Sequence, residues 1–326
     1  MIKNKIHKDE FDGYLKFKKK NNFYKISGRH NHIKRKKIAD KKFSNLIKKH
    51  KNQTFRSCIV CKTKKNKIIF CKNNFKHVKC INCGFIYVNP ILKEKIQYKA
   101  LIKETSYNKV MSNKVNVQLD ILRFKYGLQK LNTINKKKKI LDYGCGFGLF
   151  LDQAKKEGWQ CNGYEINEEC VKILKKKNFS IDNKFKKNTY DAITMWLVLE
   201  HIPRPNKLIK RIFLSLKKNG KLLINVPNVE SISSLILKEK CTMFSGEQHV
   251  NHFSPKTLVD FLKKNNFNIK FLETIISDAG TVKNFLSYED IKSGKAICNY
   301  DFTEPGNIHK NLMGYTILVI AQKKNK

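Results

Sequence analysis

The sequence predicts an α/β fold, a largely parallel sheet flanked by helices, with a small cysteine-rich element before it. Three observations support this prediction: apolar strand patterns alternate with helical patterns after residue 139, a glycine-rich turn follows the first of these strands, and two Cys-x₂-Cys pairs precede them. Strands separated by amphipathic helices are typical of units that build parallel sheets.

The individual elements follow from apolar periodicity and from turn residues. Strands are expected near 139–143, 160–165, 192–197, 221–226, 269–275 and 315–322. Helices are expected near 150–157, 168–177, 206–216 and 255–265. Ser254 and Pro255 open the last helix, since serine caps a helix N-terminus and proline suits the first helical position. Segments 230–250 and 277–314 interrupt the alternation and are expected to serve the substrate side.

Composition divides the chain of 326 residues into four parts. Residues 1–50 are strongly basic and are expected to form a flexible arm, residues 51–91 hold the cysteine pairs, residues 92–135 form a helical connector, and residues 136–326 hold the alternating pattern. No apolar run reaches the roughly 18 residues of a membrane span. The N-terminus has no apolar stretch typical of a secretion signal, so a cytoplasmic location is expected.

The formal net charge of +42 raises the question of a nucleic-acid partner, because dense positive charge attracts phosphate. Only six of the 68 basic residues are arginine. Arginine is favoured for bidentate contacts with phosphate and guanine, so its scarcity favours a general enrichment in lysine. Nucleic-acid binding stays open but is not favoured.

The glycine-rich turn is the most informative motif. Asp142 ends the first strand of the sheet, and glycines follow at 144, 146 and 148. A dinucleotide-binding turn with the pattern Gly-x-Gly-x-x-Gly would need a glycine where Leu149 stands. The pattern Asp-x-Gly-x-Gly-x-Gly instead resembles motif I of the class I S-adenosylmethionine (SAM)-dependent methyltransferases. The resemblance implies a Rossmann-like sheet, SAM as the cofactor, and a cofactor site that includes Asp142, Gly144, Gly146 and Gly148.

Two further positions match this family. Glu165 ends the second strand about 20 residues after the turn, where a carboxylate can accept hydrogen bonds from both ribose hydroxyls. Residues 190–203 resemble the family's fourth strand and the loop after it, which often ends in Glu-His as Glu200-His201 does here. The resemblance implies that Glu165 and Trp196 contact the cofactor, although Trp196 suits a place in the core equally well.

Histidines near the expected cleft are the candidate catalytic bases. A base is needed only where the acceptor must lose a proton, and histidine takes up a proton near neutral pH. His201 is the first candidate and His249 the second, with His252 three residues further on. Structural roles compete, because His201 could hold its loop through a backbone hydrogen bond, and His249 and His252 could form a helix entry or a metal pair. Cys145 is expected to pack beneath the cofactor.

Two cysteine pairs predict a zinc site. The pairs are separated by 18 residues, and each can place two thiolates on one ion. The predicted ligands are Cys58, Cys61, Cys80 and Cys83. Because four protein ligands leave no open position on the metal, the site is expected to be a structural Zn²⁺ in a small ribbon. Cys71 and His77 lie between the pairs at less suitable spacings.

A zinc ribbon followed by motif I resembles an arrangement found in bacterial methyltransferases. The resemblance covers roughly residues 55–275 and includes Cys80-Ile-Asn-Cys83-Gly84-Phe-Ile-Tyr-Val-Asn-Pro90. Several such proteins resemble sugar C-methyltransferases or enzymes of surface-polysaccharide and secondary metabolism. The resemblance implies methyl transfer to a small molecule or an activated sugar. The acceptor atom stays open among carbon, oxygen and nitrogen, as does the oligomeric state.

Two other functions compete with this one. An RNA methyltransferase would hold RNA with residues 1–50 and the ribbon, but the chain lacks an Asn-Pro-Pro-Tyr-type motif for the amino groups of bases. An inactive zinc-ribbon adaptor would keep the fold without the chemistry, but the intact glycines of the turn and Glu165 argue against it. The sequence therefore favours an enzyme that acts on a small molecule.

Overall fold

The computed structural model describes residues 43–102, 114–131, 138–277 and 305–324. Of the predicted basic arm, positions 1–42 lie outside the described residues, and positions 43–48 are helical. Most of the predicted substrate-side segment 277–314 also lies outside them. Within the described ranges, no helix is both long enough and apolar enough to cross a membrane.

The strands are numbered along the chain. They are β1 Gln53–Thr54, β2 Asn66–Lys72, β3 Phe75–Cys80, β4 Ile86–Val88, β5 Ile91–Leu92, β6 Lys139–Tyr143, β7 Gln160–Tyr164, β8 Ser180–Ile181, β9 Tyr190–Trp196, β10 Leu216–Pro227, β11 Asn251–His252, β12 Phe267–Ile275 and β13 Thr316–Lys323. Besides the helical positions 43–48, the α-helices are α1 Glu94–Ile102, α2 Lys114–Leu131, α3 Leu149–Lys156, α4 Glu168–Lys176, α5 Pro205–Ser215, α6 Ile232–Leu237, α7 Pro255–Lys264 and α8 Pro305–Lys310.

A seven-stranded sheet forms the centre of the fold, with the order β12–β13–β10–β9–β6–β7–β8. The strands from β10 to β8 are parallel to one another, whereas β13 runs antiparallel to both β10 and β12. The predicted α/β fold with a largely parallel sheet flanked by helices is confirmed. The sequence did not predict β8, because a strand of two residues is too short to show alternation.

The four helices predicted after residue 139 are α3, α4, α5 and α7, and each end lies within one residue of its predicted position. The start of α7 is capped as expected. The Ser254 side chain accepts a hydrogen bond from Thr257 N, and Pro255 occupies the first turn. Capping of this kind is a local interaction, which is why sequence patterns predict these boundaries well.

The sheet carries a separate apolar core on each face. Along β9, Met195 belongs to the cluster that includes Phe253 and Phe261, whereas Trp196 belongs to the cluster that includes Phe124 and Phe150. Neighbouring side chains on a strand point to opposite faces, so consecutive residues enter different cores. Both faces are thus covered, as a mainly parallel sheet requires.

The segment before α7 contributes a strand, β11, to the sheet of the cysteine-rich element. β2, β3, β4 and β11 form a four-stranded sheet in which Asn251–His252 pairs antiparallel with β4. A single hydrophobic cluster contains Cys58 and Phe85 from the cysteine-rich element together with Phe253 and Phe261 from the segment around α7. The element therefore shares a core with the α/β sheet, and the domain boundary at residue 91 stays a prediction.

Candidate functional site

The glycine-rich turn connects β6 to α3 through a backbone that favours glycine. Gly144, Gly146 and Gly148 have φ angles of +76°, +52° and +79°, which side-chain-bearing residues adopt only with strain. The space at Gly144 is also closed, because a Cβ added there would lie 2.7 Å from Cγ2 of Val198. The turn after β6 is therefore in direct contact with the loop after β9.

Glu165 closes this turn from the neighbouring strand. Its Oε2 accepts a hydrogen bond from Gly146 N at 2.8 Å, and its Oε1 accepts from Ile166 N and Asn167 N at 2.7 and 2.8 Å. The structure thus brings Glu165 and the glycine turn together at the carboxyl ends of two adjacent parallel strands. In open α/β sheets, ligands bind outside the carboxyl ends of the strands.

Asp142 lies beneath the turn rather than in it. Its side chain is buried, and its Oδ1 accepts a hydrogen bond from Thr194 Oγ1 at 2.7 Å. Burial raises the pKa of Asp142 to about 7, which the Thr194 hydroxyl opposes and the charge of Glu165 reinforces. The sequence did not single out Thr194, because its pairing with Asp142 depends on two strands meeting in the sheet.

Trp196, predicted either to contact the cofactor or to lie in the core, packs against core residues, and its contact with a cofactor stays a prediction. The ring centroid of its indole lies 5.0 Å from that of Phe124 and 5.5 Å from that of Phe150, and the residue is 8% exposed. The position of Trp196 on β9 directs it towards α2 and α3, which makes the core placement the observed one. Cys145 is buried in the same cluster.

Glu200, His201 and His249 converge after β9. One potential ligand atom from each side chain lies within 4.8 Å of the other two, and the two imidazole ring centroids are 4.8 Å apart. His201 Nδ1 lies 3.1 Å from Gln248 O, and His249 Nδ1 lies 2.8 Å from Met243 O. Because carbonyl oxygens only accept, both Nδ1 atoms carry the proton, which makes Nε2 the basic nitrogen of each ring.

The carboxyl group of Glu200, the acidic member of this cluster, is buried. Glu200 is 1% exposed, and neither carboxyl oxygen has a hydrogen-bond partner among the described residues. Its Oε1 lies 4.0 Å from Nε2 of His201. Burial raises the pKa of Glu200 to about 8, so the group is mainly protonated at neutral pH. The sequence placed Glu200 at the cleft but did not assign it a role, because burial decides its protonation.

His252 is separate from this cluster. Its Nε2 lies 3.1 Å from Nδ1 of His77, and both rings are buried against Phe244. Burial lowers the pKa of His77 to about 3 and that of His252 well below its ordinary value. The nitrogen partner of His252 is thus His77, whereas His249 groups with Glu200 and His201.

The four predicted zinc ligands do come together. Cys58 Sγ lies 3.5 Å from Cys83 Sγ, Cys61 Sγ lies 3.4 Å from Cys80 Sγ, and all four sulfur atoms lie within 4.8 Å of one another. Four converging thiols are the donor set of a closed tetrahedral zinc site. Cys71 is exposed and lies outside the cluster.

Part of the chain is similar in sequence to known methyltransferases. Residues 121–270 match a family model described as a methyltransferase domain. An uncharacterized protein of Methanocaldococcus jannaschii is 28% identical over 166 residues, which cover 49% of this chain and 79% of that protein. A ubiquinone biosynthesis O-methyltransferase of Vibrio cholerae is 27% identical over 124 residues, which cover 34% of this chain and 50% of that enzyme. The chain thus spans about half the length of that enzyme.

Among solved structures, a SAM-dependent methyltransferase of Archaeoglobus fulgidus aligns with a TM-score of 0.46 and 20% identity. The alignment covers 68% of this chain and 100% of that one.

Proposed function

We propose that the chain, whose residues 121–270 match a methyltransferase-domain family model, transfers the methyl group of SAM to a small-molecule or activated-sugar acceptor. The predictions of a SAM-dependent methyltransferase and of an enzyme are confirmed, whereas the zinc ribbon and the relationship to sugar methyltransferases stay predictions. The observation that carries the proposed chemistry is the contact of Gly144 with Val198, which lies three residues before His201. It joins a candidate cofactor turn to a candidate base.

The cofactor side of the site consists of the glycine turn and Glu165. The carboxylate of Glu165 suits the ribose hydroxyls of SAM, and the amide groups at the start of α3 suit its carboxylate. Asp142 supports the turn from beneath through its hydrogen bond with Thr194. SAM, when bound, supplies an electrophilic methyl group on a sulfonium sulfur. The leaving group is the neutral thioether, S-adenosylhomocysteine.

The acceptor side consists of His201 and His249, the two proposed catalytic residues. An oxygen or carbon acceptor must lose a proton as the new bond forms, and the Nε2 atom of either imidazole can receive it. The proton stays on Nδ1 of each ring and is donated to a backbone carbonyl, which keeps each ring in one orientation. The buried carboxyl of Glu200 beside His201 Nε2 would stabilise the imidazolium if it gave up its own proton.

The environment of the arginines supports a small acceptor over RNA. Within the described residues, Arg56 bonds to backbone carbonyls, Arg123 bonds to Asp120, Arg204 pairs with Glu94, and Arg211 lies over the ring of Phe185. Each of these guanidinium groups thus has a contact partner in the fold, although those of Arg204 and Arg211 are exposed. Bidentate phosphate contacts would require free guanidinium groups.

The four clustered cysteines are proposed to hold one structural Zn²⁺. The metal would fix the turns that begin at Cys58 and Cys80, where Lys62 N and Gly84 N already bond to the carbonyls of these cysteines. The ion would have no open position for substrate, so it would stabilise the fold without entering the reaction.

The proposal is tested by measuring formation of S-adenosylhomocysteine from SAM with a panel of nucleotide sugars, small hydroxylated molecules and total RNA. We expect product with a small acceptor at both low and high salt, and loss of product in His201→Asn or His249→Asn. Product formed only with RNA, in an amount that falls steeply as the salt concentration increases, would instead support an RNA methyltransferase.

A further inference from the structure

The guanidinium of Arg56 joins the cysteine-rich element to both histidine-bearing segments. Nε donates to Val88 O at 3.1 Å, and Nη1 donates to Pro203 O at 3.0 Å and to Asn251 Oδ1 at 2.9 Å. Nη2 donates to Val250 O. One side chain therefore bonds to the end of β4, to the loop that contains His201, and to the segment that contains His249.

The two histidine-bearing segments are also bonded to each other. Val250 N donates to Glu200 O at 3.0 Å, and the Asn251 side-chain amide donates to Leu199 O at 3.2 Å and Ile202 O at 2.8 Å. These bonds use the residues directly next to His249 and on both sides of His201. The relative position of the two imidazoles thus depends on this short network.

The cysteine-rich element fixes the same segment through its sheet. Val88 N donates to Val250 O at 3.0 Å, and β11 extends the sheet by pairing with β4. Arg56 itself is held in place, since its backbone N donates to Asn89 Oδ1 at 3.1 Å and its guanidinium lies 5.1 Å from the ring centroid of Tyr87. The element therefore holds the backbone after His249 in place through strand pairing.

The cofactor side is organised differently. Gly144 N and Cys145 N donate to Tyr164 O, and Gly146 N donates to Glu165. These bonds connect the loops of two strands of the large sheet to each other. Loss of Arg56 should consequently disturb the two histidines and leave the cofactor turn in place.

We propose that Arg56 is a positioning residue, through which the cysteine-rich element aligns His201 and His249 for proton removal from the acceptor. The catalytic meaning of this alignment rests on the proposed function, whereas the alignment itself can be measured without turnover. A guanidinium suits this task because its planar fork can serve several acceptors at fixed angles. An ammonium group is a single point charge and cannot reproduce that arrangement.

The test compares Arg56→Met and Arg56→Lys with the parent chain and with Arg204→Met. Arg204 lies in the same loop as Pro203, but its guanidinium is largely exposed and pairs with Glu94, which makes it a matched control. For each protein, imidazole ¹⁵N and ¹H spectra of His201 and His249 are recorded against pH. SAM affinity, zinc content and thermal unfolding are measured in parallel.

We expect Arg56→Met to change the tautomer signals and apparent pKa values of both histidines while SAM affinity stays at the parental value. Arg56→Lys should show intermediate spectra, and Arg204→Met should match the parent. If Arg56→Met does not fold, the imidazole spectra and SAM affinity of Arg56→Lys decide whether the inference holds. Parental spectra in a folded Arg56 variant would overturn the inference, as would an equal loss of SAM affinity. Altered histidine spectra in the Arg56 variants, together with a parent chain that transfers no methyl group to any acceptor, would support the alignment and contradict the proposed function.

Discussion

The carboxylate of Glu165 accepts a hydrogen bond from the backbone amide of Gly146, with Oε2 and N 2.8 Å apart. The bond links the loops after two neighbouring parallel strands, so a single side chain both shapes the glycine turn and faces the space where a ligand of the sheet would bind. Glu165 is therefore the residue with which the cofactor site is tested most directly.

Glu165→Ala should weaken SAM binding by at least about tenfold, because a hydrogen bond to a charged group contributes about 1.5–3 kcal/mol and about 1.4 kcal/mol corresponds to a factor of ten. Calorimetric titration with SAM measures the change. The control is Glu169→Ala, which removes an exposed carboxylate from the first turn of α4. Parental affinity in Glu165→Ala would exclude the residue from the cofactor site.

Gly144 and Gly158 allow the effects of strain and of crowding to be separated. Both have positive φ angles, +76° and +77°, but a Cβ at Gly144 would meet Val198 at 2.7 Å, whereas nothing lies within 4 Å at Gly158. Gly158→Ala should lower the free energy of unfolding by about 1–2 kcal/mol, which is the cost of a left-handed backbone for a residue with a side chain. Gly144→Ala should cost about 1–3 kcal/mol more, because the added methyl overpacks the loop.

Denaturant unfolding of both glycine variants measures these costs, and SAM titration shows whether the effect reaches the site. We expect Gly144→Ala to lower SAM affinity and Gly158→Ala to leave it unchanged. Equal unfolding free energies for the two variants would mean that the Val198 contact does not restrict this position.

Cys80→Ser should remove the bound zinc, whereas Cys71→Ser should retain it, because only Cys80 belongs to the sulfur cluster. Metal analysis of the purified proteins provides the measurement. Since Cys58 and Phe85 share a core with Phe253 and Phe261, we expect metal loss to lower the thermal midpoint of the whole chain. Full zinc content in Cys80→Ser would contradict the ligand set.

Glu200 should make the stability of the chain depend on pH. Burial raises its pKa from 4.5 to about 8, so the folded state retains a proton that the unfolded state releases within this window. The stability contribution of the group therefore falls as the pH rises from about 4.5 through about 8. Glu200→Gln stays neutral, so we expect it to gain stability relative to the parent at about pH 9 and to differ least below about pH 4.5.

Unfolding by denaturant across this pH range measures the difference. Glu169→Gln, a change at an exposed carboxylate, serves as the control and should follow the parent at every pH. A Glu200→Gln curve that ran parallel to that of the parent would show that Glu200 is ionised in the folded chain.

Local patterns in the sequence were sufficient for six strands of the large sheet, the four helices between them, the glycine turn and the cysteine pairs. Capping residues, apolar periodicity and Cys-x₂-Cys spacing depend on interactions between residues a few positions apart, and such interactions are visible in a linear chain. The core placement of Trp196, by contrast, depends on which face of β9 meets α2, and its sequence neighbours do not show this.

Contacts across long sequence separations were decided only by the folded chain. No pattern in the sequence connects Arg56 with Val250, 194 positions away, or Asp142 with Thr194. It also did not show that β11 would complete the sheet of the cysteine-rich element. The protonation of Glu200 belongs to the same group, because desolvation depends on every segment packed around the carboxyl group. Short motifs thus determined which residue types form the candidate sites, while their arrangement in space required the three-dimensional packing of distant segments.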